Sequence, residues 1–277
     1  MPTLLFKLIL TYISHLNIVI ATSAGLLAAG IANIFNLDQY LSYGQFAFFS
    51  TLCVYNLQRV VKVNLETKTP WLSWVGQHRT LIILISIVSG LLGGYFFVLL
   101  LNEITPIVMM LMVGATTISF YYVVRIGSKN LRELPHLKIH LIALTWTIII
   151  VVFPMLNENI HNWETFIIFI PAHYLYFAAV AIPFDIRDLK YDLPSQRTIP
   201  QVIGIPKAKI ISILLLILVL ISLGVVSSYS ISTPLFVLAI IVQMLLILYS
   251  TEKRKDFYYS ILIDGAIALL GVSYLIR

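Results

Sequence analysis

Long apolar runs constrain this chain more than any other feature. Each is about 20 residues long, the length that carries a helix across a hydrocarbon core of roughly 30 Å. Inside lipid a segment must satisfy its own backbone donors and acceptors, so such runs fold as helices. Spans are expected at about 9–32, 43–62, 81–101, 106–124, 139–156, 163–183, 208–229, 233–250 and 257–276, nine in all. Composition agrees, with 60% of residues hydrophobic and only 11% charged. A soluble domain of this size is far more polar. The expected fold class is all-α, a polytopic membrane helical bundle with nine transmembrane helices, forming one integral membrane domain over 1–277.

The loops sort by charge. Lys7 and the stretches 59–80, 125–138, 187–209 and 251–256 carry the basic residues of one side, whereas the other side has only Arg277, with Asp38, Glu103, Glu158 and Glu164. This asymmetry places the N-terminus and the long polar loops in the cytoplasm and the C-terminus outside. The net charge of +6 therefore reads as topology rather than as a basic soluble face, and nucleic acid is not an expected partner. Lys7 and the apolar run after it read as a first span, because no cleavage site ends the run before Ile34. Cys53 is the only cysteine, so no intrachain disulfide is possible.

The long cytoplasmic loops follow spans two, four and six, and long loops on one face usually carry function. After span six comes PFDIRDLKYDLPSQRTIPQVIG, residues 183–204. Asp185, Asp188 and Asp192 are spaced by three and then four, and on a helix they fall within about 60° of one another. Pro183 suits the first turn of a short helix, Pro194 stops it, and Arg187 and Lys190 point to the other side. Three anions on one stripe repel, by about 1 kcal/mol per close pair in water and roughly 4 kcal/mol at an effective dielectric of 20. A cation should sit there, and carboxylates that carry Mg²⁺ to a phosphate group are the leading explanation. The bland alternative is a solvated helix end.

Basic and polar residues near the other long loops fit the same chemistry. Asn56, Arg59 and Val63 share a face after span two, with Lys62 beside it. Arg59 suits bidentate contact with a phosphate, while Lys62 reads equally well as a topological anchor. Tyr121, Tyr122, Arg125, Lys129 and Lys138 after span four form a candidate basic rim, and Arg197 is a further candidate. His15, Asn17, His140, Trp146 and His173 fall in or near spans, where polar groups usually face the bundle interior. His136 and His140 stand at i, i+4, but no cysteine or further histidine lies within 20 residues of them to complete a zinc set, so a zinc site is not expected. Asp264 lies in the last span, a position that serves either function or helix packing.

These segments resemble the UbiA superfamily of intramembrane prenyltransferases. The resemblance rests on DIRDLKYDLPSQRTIPQVIG, similar to the family's second Asp-rich motif and the R-T-[LI]-P…G after it. LRELPHLKIHLIALTW, the ending YSILIDGAIALLGVSYL and the nine spans add to it. It implies a helical bundle around a central cavity open to lipid, in which Mg²⁺ held by two Asp-rich motifs binds a prenyl diphosphate. The prenyl chain passes to a lipid-soluble acceptor, so prenyl diphosphate, a hydrophobic acceptor and membrane lipid are the implied partners. Asp185, Asp188 and Asp192 match the second motif as metal-binding and catalytic residues. Tyr121 and Arg125 resemble a Tyr-x-x-x-Lys element. The first motif departs: Asn56 remains, but its three Asp positions read Leu57, Val60 and Asn64. The expectation is a variant in which the three aspartates hold one Mg²⁺ and Asn56, Arg59, Tyr121, Arg125, Lys129 and Arg197 face the diphosphate. Two other classes stay open: a lapsed member that binds an isoprenoid lipid or a partner protein, and a transporter. The transporter would need broken helices at matching positions in two halves.

Overall fold

Apolar runs separated by short polar turns do become helices. The computed structural model describes residues 2–63, 70–101, 105–125, 127, 129–157, 165–225 and 233–276, and no strand occurs among them. In chain order the helices are α1 (Pro2–His15), α2 (Ile18–Ile34), α3 (Tyr40–Val63), α4 (Pro70–Gln77), α5 (Arg79–Leu99) and α6 (Pro106–Tyr121). They continue with α7 (Leu137–Trp146), α8 (Phe153–Asn157), α9 (Ile170–Asp188), α10 (Ile199–Ile203), α11 (Ile205–Val225), α12 (Thr233–Leu248) and α13 (Asp264–Leu275). Among the described residues, five helical segments are long and apolar enough to cross a membrane: Arg79–Leu99, Leu137–Asn157, Phe166–Asp188, Ile205–Gly224 and Tyr258–Leu275. The bent pair α1 and α2 makes a sixth if it counts as one span, and α6 and α12 are shorter apolar helices. Asn64, Lys68, Glu103, Glu158, Glu164 and Arg277, used above to read the first motif and the topology, lie outside the described residues.

The first expected span is broken. α1 and α2 meet at 59°, and Asn17 at the joint adopts a left-handed conformation, φ 58°. A kink needs a partner for the backbone it frees. Here Asn56 of α3 donates through Nδ2 to the Leu16 carbonyl at 3.0 Å and accepts at Oδ1 from Asn17 Nδ2 at 2.9 Å.

α2 is the centre of the packing, with α3 on one side and α13 on the other. Small residues allow this approach, as is usual where lipid supplies no hydrophobic drive between helices. A Cβ on Gly271 would come within 2.6 Å of the Leu26 and Leu27 backbone, and one on Gly44 within 2.8 Å of the Ala29 side chain. Polar ties link other pairs. His173 of α9 bridges the Phe169 carbonyl and the Tyr274 hydroxyl of α13, and Ser212 of α11 donates to the Ala179 carbonyl of α9. The outer faces of α5 and α11 expose Leu84, Ile87, Leu91, Leu214 and Ile221, as lipid-facing helices do.

Three π-helical turns occur among the described residues: Thr147–Val152 joins α7 to α8, Thr165–Phe169 leads into α9, and Tyr258–Ile263 leads into α13. Such turns rotate one part of a helix face against the next and often occur at functional sites.

Candidate functional site: a cavity with a charged end

The acidic segment folds differently from its expected local form. Pro183 does not open a helix; it lies inside α9, which continues to Asp188. Membrane helices tolerate proline because neighbouring groups satisfy what it frees. Asp185 and Asp188 occupy the last turn of α9, and Asp192 follows in a turn whose backbone N–H donates to the Asp188 carbonyl at 2.8 Å. Beyond it, Thr198 and Gln201 form a capping box for α10, with Arg197 (φ 47°) and Gly204 (φ 79°) turning the chain on either side. Gln201 also donates to the carbonyls of Asp192 and Leu193, fixing the turn to α9.

The three carboxylates converge on one cation, and it is Lys138. Its ammonium lies 2.6 Å from Asp192 Oδ2, 2.9 Å from Asp185 Oδ1 and 3.8 Å from Asp188 Oδ2. The residue is 4% exposed, in the first turn of α7, which packs along α9. A backbone bond from His136 to the Gln196 carbonyl pins the entry to α7 against the turn after Asp192. Two arginines complete the cluster. Arg132 Nη2 lies 3.1 Å from Asp192 Oδ1, and Arg187 is bidentate on Asp188 at 2.7 and 3.2 Å. Arg187 therefore does not point away from the stripe; its long side chain turns back to Asp188 and stacks over Phe184 and Tyr259. Lys190 is exposed over Tyr191, on the side expected. Buried charges persist where they are paired and hydrogen-bonded, and here three carboxylates meet three cations.

As arranged, this donor set does not fit the expected divalent ion. The ammonium stands at the focus of the carboxylates, where the ion would have to sit. Among the described residues no group of three His, Cys, Asp or Glu side chains converges as a metal site.

Lys138, Arg132, Arg187, Asp185 and Asp188 line part of a cavity of about 190 Å³. Tyr55, Gln58, Arg59 and Lys62 form its wall from α3, spaced i, i+3, i+4 and i+7, so they share one helical face. α7 contributes Lys138, Leu141, Ile142, Thr145 and Trp146, and α9 contributes Phe177, Val180, Ala181, Phe184, Asp185 and Asp188. Asp264 and Ile267 enter from α13, and Trp71 from α4. Trp146 Nε1 donates to the Tyr55 hydroxyl at 3.1 Å, making an aromatic wall between α7 and α3. The lining is mixed: the Lys138 cluster, Arg59, Lys62 and Asp264 carry charge, and Val54, Leu141, Ile142, Phe177, Val180 and Ile267 are among the apolar groups.

Arg59 differs from the other cations there. Its guanidinium lies 4.6 Å from the centre of the Trp71 ring and makes no ion pair among the described residues. A stacked guanidinium keeps its N–H fork free for an anion. Two cavity groups likewise lack side-chain hydrogen bonds among the described residues: the Asp264 carboxyl and the buried Thr145 hydroxyl.

Of the expected diphosphate contacts, only Arg59 lines the cavity. Asn56 lies on another face of α3, fully buried and spent on the α1–α2 joint. Tyr121 packs on Phe120, and it is Tyr122, under Lys62 and Arg132, that faces inward. Arg125 is exposed and pairs with Glu133 at 3.7 Å. Lys129 and Arg197 are exposed outside the cavity. Arg132, Gln58 and Tyr55 are not singled out by the sequence, Arg187 is placed on the wrong side, and Lys138 and Trp146 are expected only as a rim residue and an inward-facing polar group. The periodic polar face Tyr55–Gln58–Arg59–Lys62 was a usable signal; nothing local marked Lys138 as the partner of three distant aspartates.

Compared with known proteins, the chain matches no family model, no curated protein and no solved structure.

Proposed function

We propose that the cavity binds an isoprenoid lipid carrying a diphosphate and that the chain is a prenyltransferase of the kind its motifs resemble. The observation that carries this reading is Arg59, a stacked guanidinium without an ion pair among the described residues, in the wall of a cavity that aliphatic and aromatic side chains also line. A diphosphate suits a forked donor, and an isoprenoid tail suits Val54, Ile142, Phe177 and Val180. In this reading nine crossings, at the places the apolar runs mark, surround the cavity, and the Lys138 cluster lies on its cytoplasmic side.

The chain's own residues then have distinct tasks. Arg59, with Lys62 and Arg187 nearby, holds the diphosphate and stabilises the charge that develops on it as the allylic C–O bond breaks. The bonding pair leaves with the diphosphate. Tyr55, Trp146 and Phe177 exclude water from the allylic cation and present ring faces to it. The acceptor attacks that carbon and loses a proton, for which the Asp264 carboxylate in the cavity wall is the base in this reading. No step here is routed through a metal.

The test is an assay of detergent-purified protein with geranyl to geranylgeranyl diphosphate and a panel of quinone precursors, with Mg²⁺ and in chelator. Prenylated product supports the reading. Neither product nor saturable diphosphate binding refutes it. One observation favours the lapsed alternative: the acidic cluster is already neutralised by Lys138, Arg132 and Arg187. That form predicts saturable binding without turnover. Transport has less support, because only one broken helix pair is found among the described residues.

A further inference from the structure

We infer that diphosphate binding in this cavity does not require a divalent metal, because Lys138 stands where such an ion would be held. The inference rests on the reading of the cavity as a diphosphate site. Three observations lead to it. First, three carboxylates from two different stretches, the end of α9 and the turn beyond it, converge within 3.8 Å of one ammonium. Two of those contacts, at 2.6 and 2.9 Å, are charge-assisted hydrogen-bond distances. Second, Arg132 and Arg187 take further oxygens of Asp192 and Asp188. All of these carboxylate oxygens except Asp185 Oδ2 therefore have a nitrogen donor within 3.8 Å. Third, the cluster balances itself: Asp185, Asp188 and Asp192 against Lys138, Arg132 and Arg187. The anion's charge is then met by Arg59, which is outside that balance.

Elementary chemistry explains the substitution. A divalent ion between carboxylates and a diphosphate neutralises both. An ammonium neutralises the carboxylates alone, so the diphosphate needs another cation within reach. α3 supplies Arg59 and Lys62 on its cavity face. Carboxylates there would repel an anion that arrived without metal; an arginine attracts it. Lysine at the aspartate focus and arginine on α3 are thus two halves of one exchange.

The experiment uses the purified full chain in detergent and radiolabelled farnesyl diphosphate as probe, with excess Mg²⁺ or with EDTA. The inference expects the two Kd values to agree within about threefold. Binding that weakens by about tenfold or more in EDTA overturns it while leaving the diphosphate reading intact. No binding in either condition overturns both. A second arm follows Mn²⁺ by electron paramagnetic resonance without the probe. Wild type should hold no stoichiometric Mn²⁺, and Lys138→Ala, which empties the focus between the three carboxylates and strands Asp185, should acquire a bound ion. Stoichiometric Mn²⁺ on wild type refutes the placement of Lys138, as does a folded Lys138→Ala protein that binds none. The wild-type comparisons need no variant and so stand even if Lys138→Ala fails to fold.

Discussion

Lys138→Met should be among the most destabilising single changes in this protein. Methionine keeps the aliphatic stem and removes the ammonium from the focus of Asp185, Asp188 and Asp192, at 2.9, 3.8 and 2.6 Å. A unit-charge pair at 4 Å is worth about 4 kcal/mol at an effective dielectric of 20, and two of these contacts are closer. Arg132 and Arg187 keep one partner each, but Asp185 loses the only ion pair found for it among the described residues. Breaking a buried pair from one side costs about 3–5 kcal/mol. Partial protonation of the stranded carboxyl keeps the expected loss within that range. The neutralising double variant Lys138→Met/Asp185→Asn should recover at least about 1 kcal/mol of it, since contacting residues are not additive. The assay is unfolding of purified protein in mixed micelles, followed by tryptophan fluorescence, for wild type, both single variants and the double variant. If Lys138→Met matches wild type within about 0.5 kcal/mol, the range of an ordinary surface change, the buried cluster does not exist as described.

Other outcomes follow from particular contacts. Gly271→Ala must push apart α2 and α13, because its Cβ would meet backbone at 2.6 Å, and should lose about 1–3 kcal/mol in the same unfolding assay. Gly94→Ala meets nothing within 4 Å and should be neutral or stabilising by up to about 1 kcal/mol. Asn56→Ala strands Asn17 and the Leu16 carbonyl, so it should cost about 1–3 kcal/mol in stability yet leave farnesyl diphosphate affinity in the surviving folded protein unchanged. Arg59→Ala should weaken that affinity by about 10- to 100-fold, the worth of a charged hydrogen bond, measured by equilibrium binding. Arg125→Ala, outside the cavity beside Glu133, should not change it.

The chain announced its class through run length and polarity, because lipid allows few ways to satisfy a backbone. Spacing also put Asp185 and Asp188 on one face of a helix, whereas Asp192 joins them from the turn beyond α9, not from the expected helix. What occupies that face was not legible. Lys138 lies about 50 residues earlier, and only the packing of α7 along α9 brings it there. The side taken by Arg187 was misread for a different reason: spacing gives the direction of Cβ, while a long flexible side chain can reach back around the helix. Asn17 and Asn56 illustrate a third limit. Each resembles an ordinary polar residue in a span, and only their mutual bonds at the α1–α2 joint give them a task. On α3 the site residues were legible but assigned to the wrong face, because the motif alignment drew attention to Asn56 when the polar periodicity ran through Tyr55, Gln58, Arg59 and Lys62.

The central claim is that a diphosphate-headed isoprenoid lies in this cavity with its head at Arg59 and its tail among α3, α7 and α9. The most direct measurement is photolabelling of the purified protein with a prenyl diphosphate carrying a diazirine on its tail, followed by peptide mapping. Label on the peptides bearing Tyr55, Trp146 or Phe177, competed away by unlabelled farnesyl diphosphate, is the predicted result. Label confined to the lipid-facing surfaces of α5 and α11, and indifferent to competitor, would contradict it.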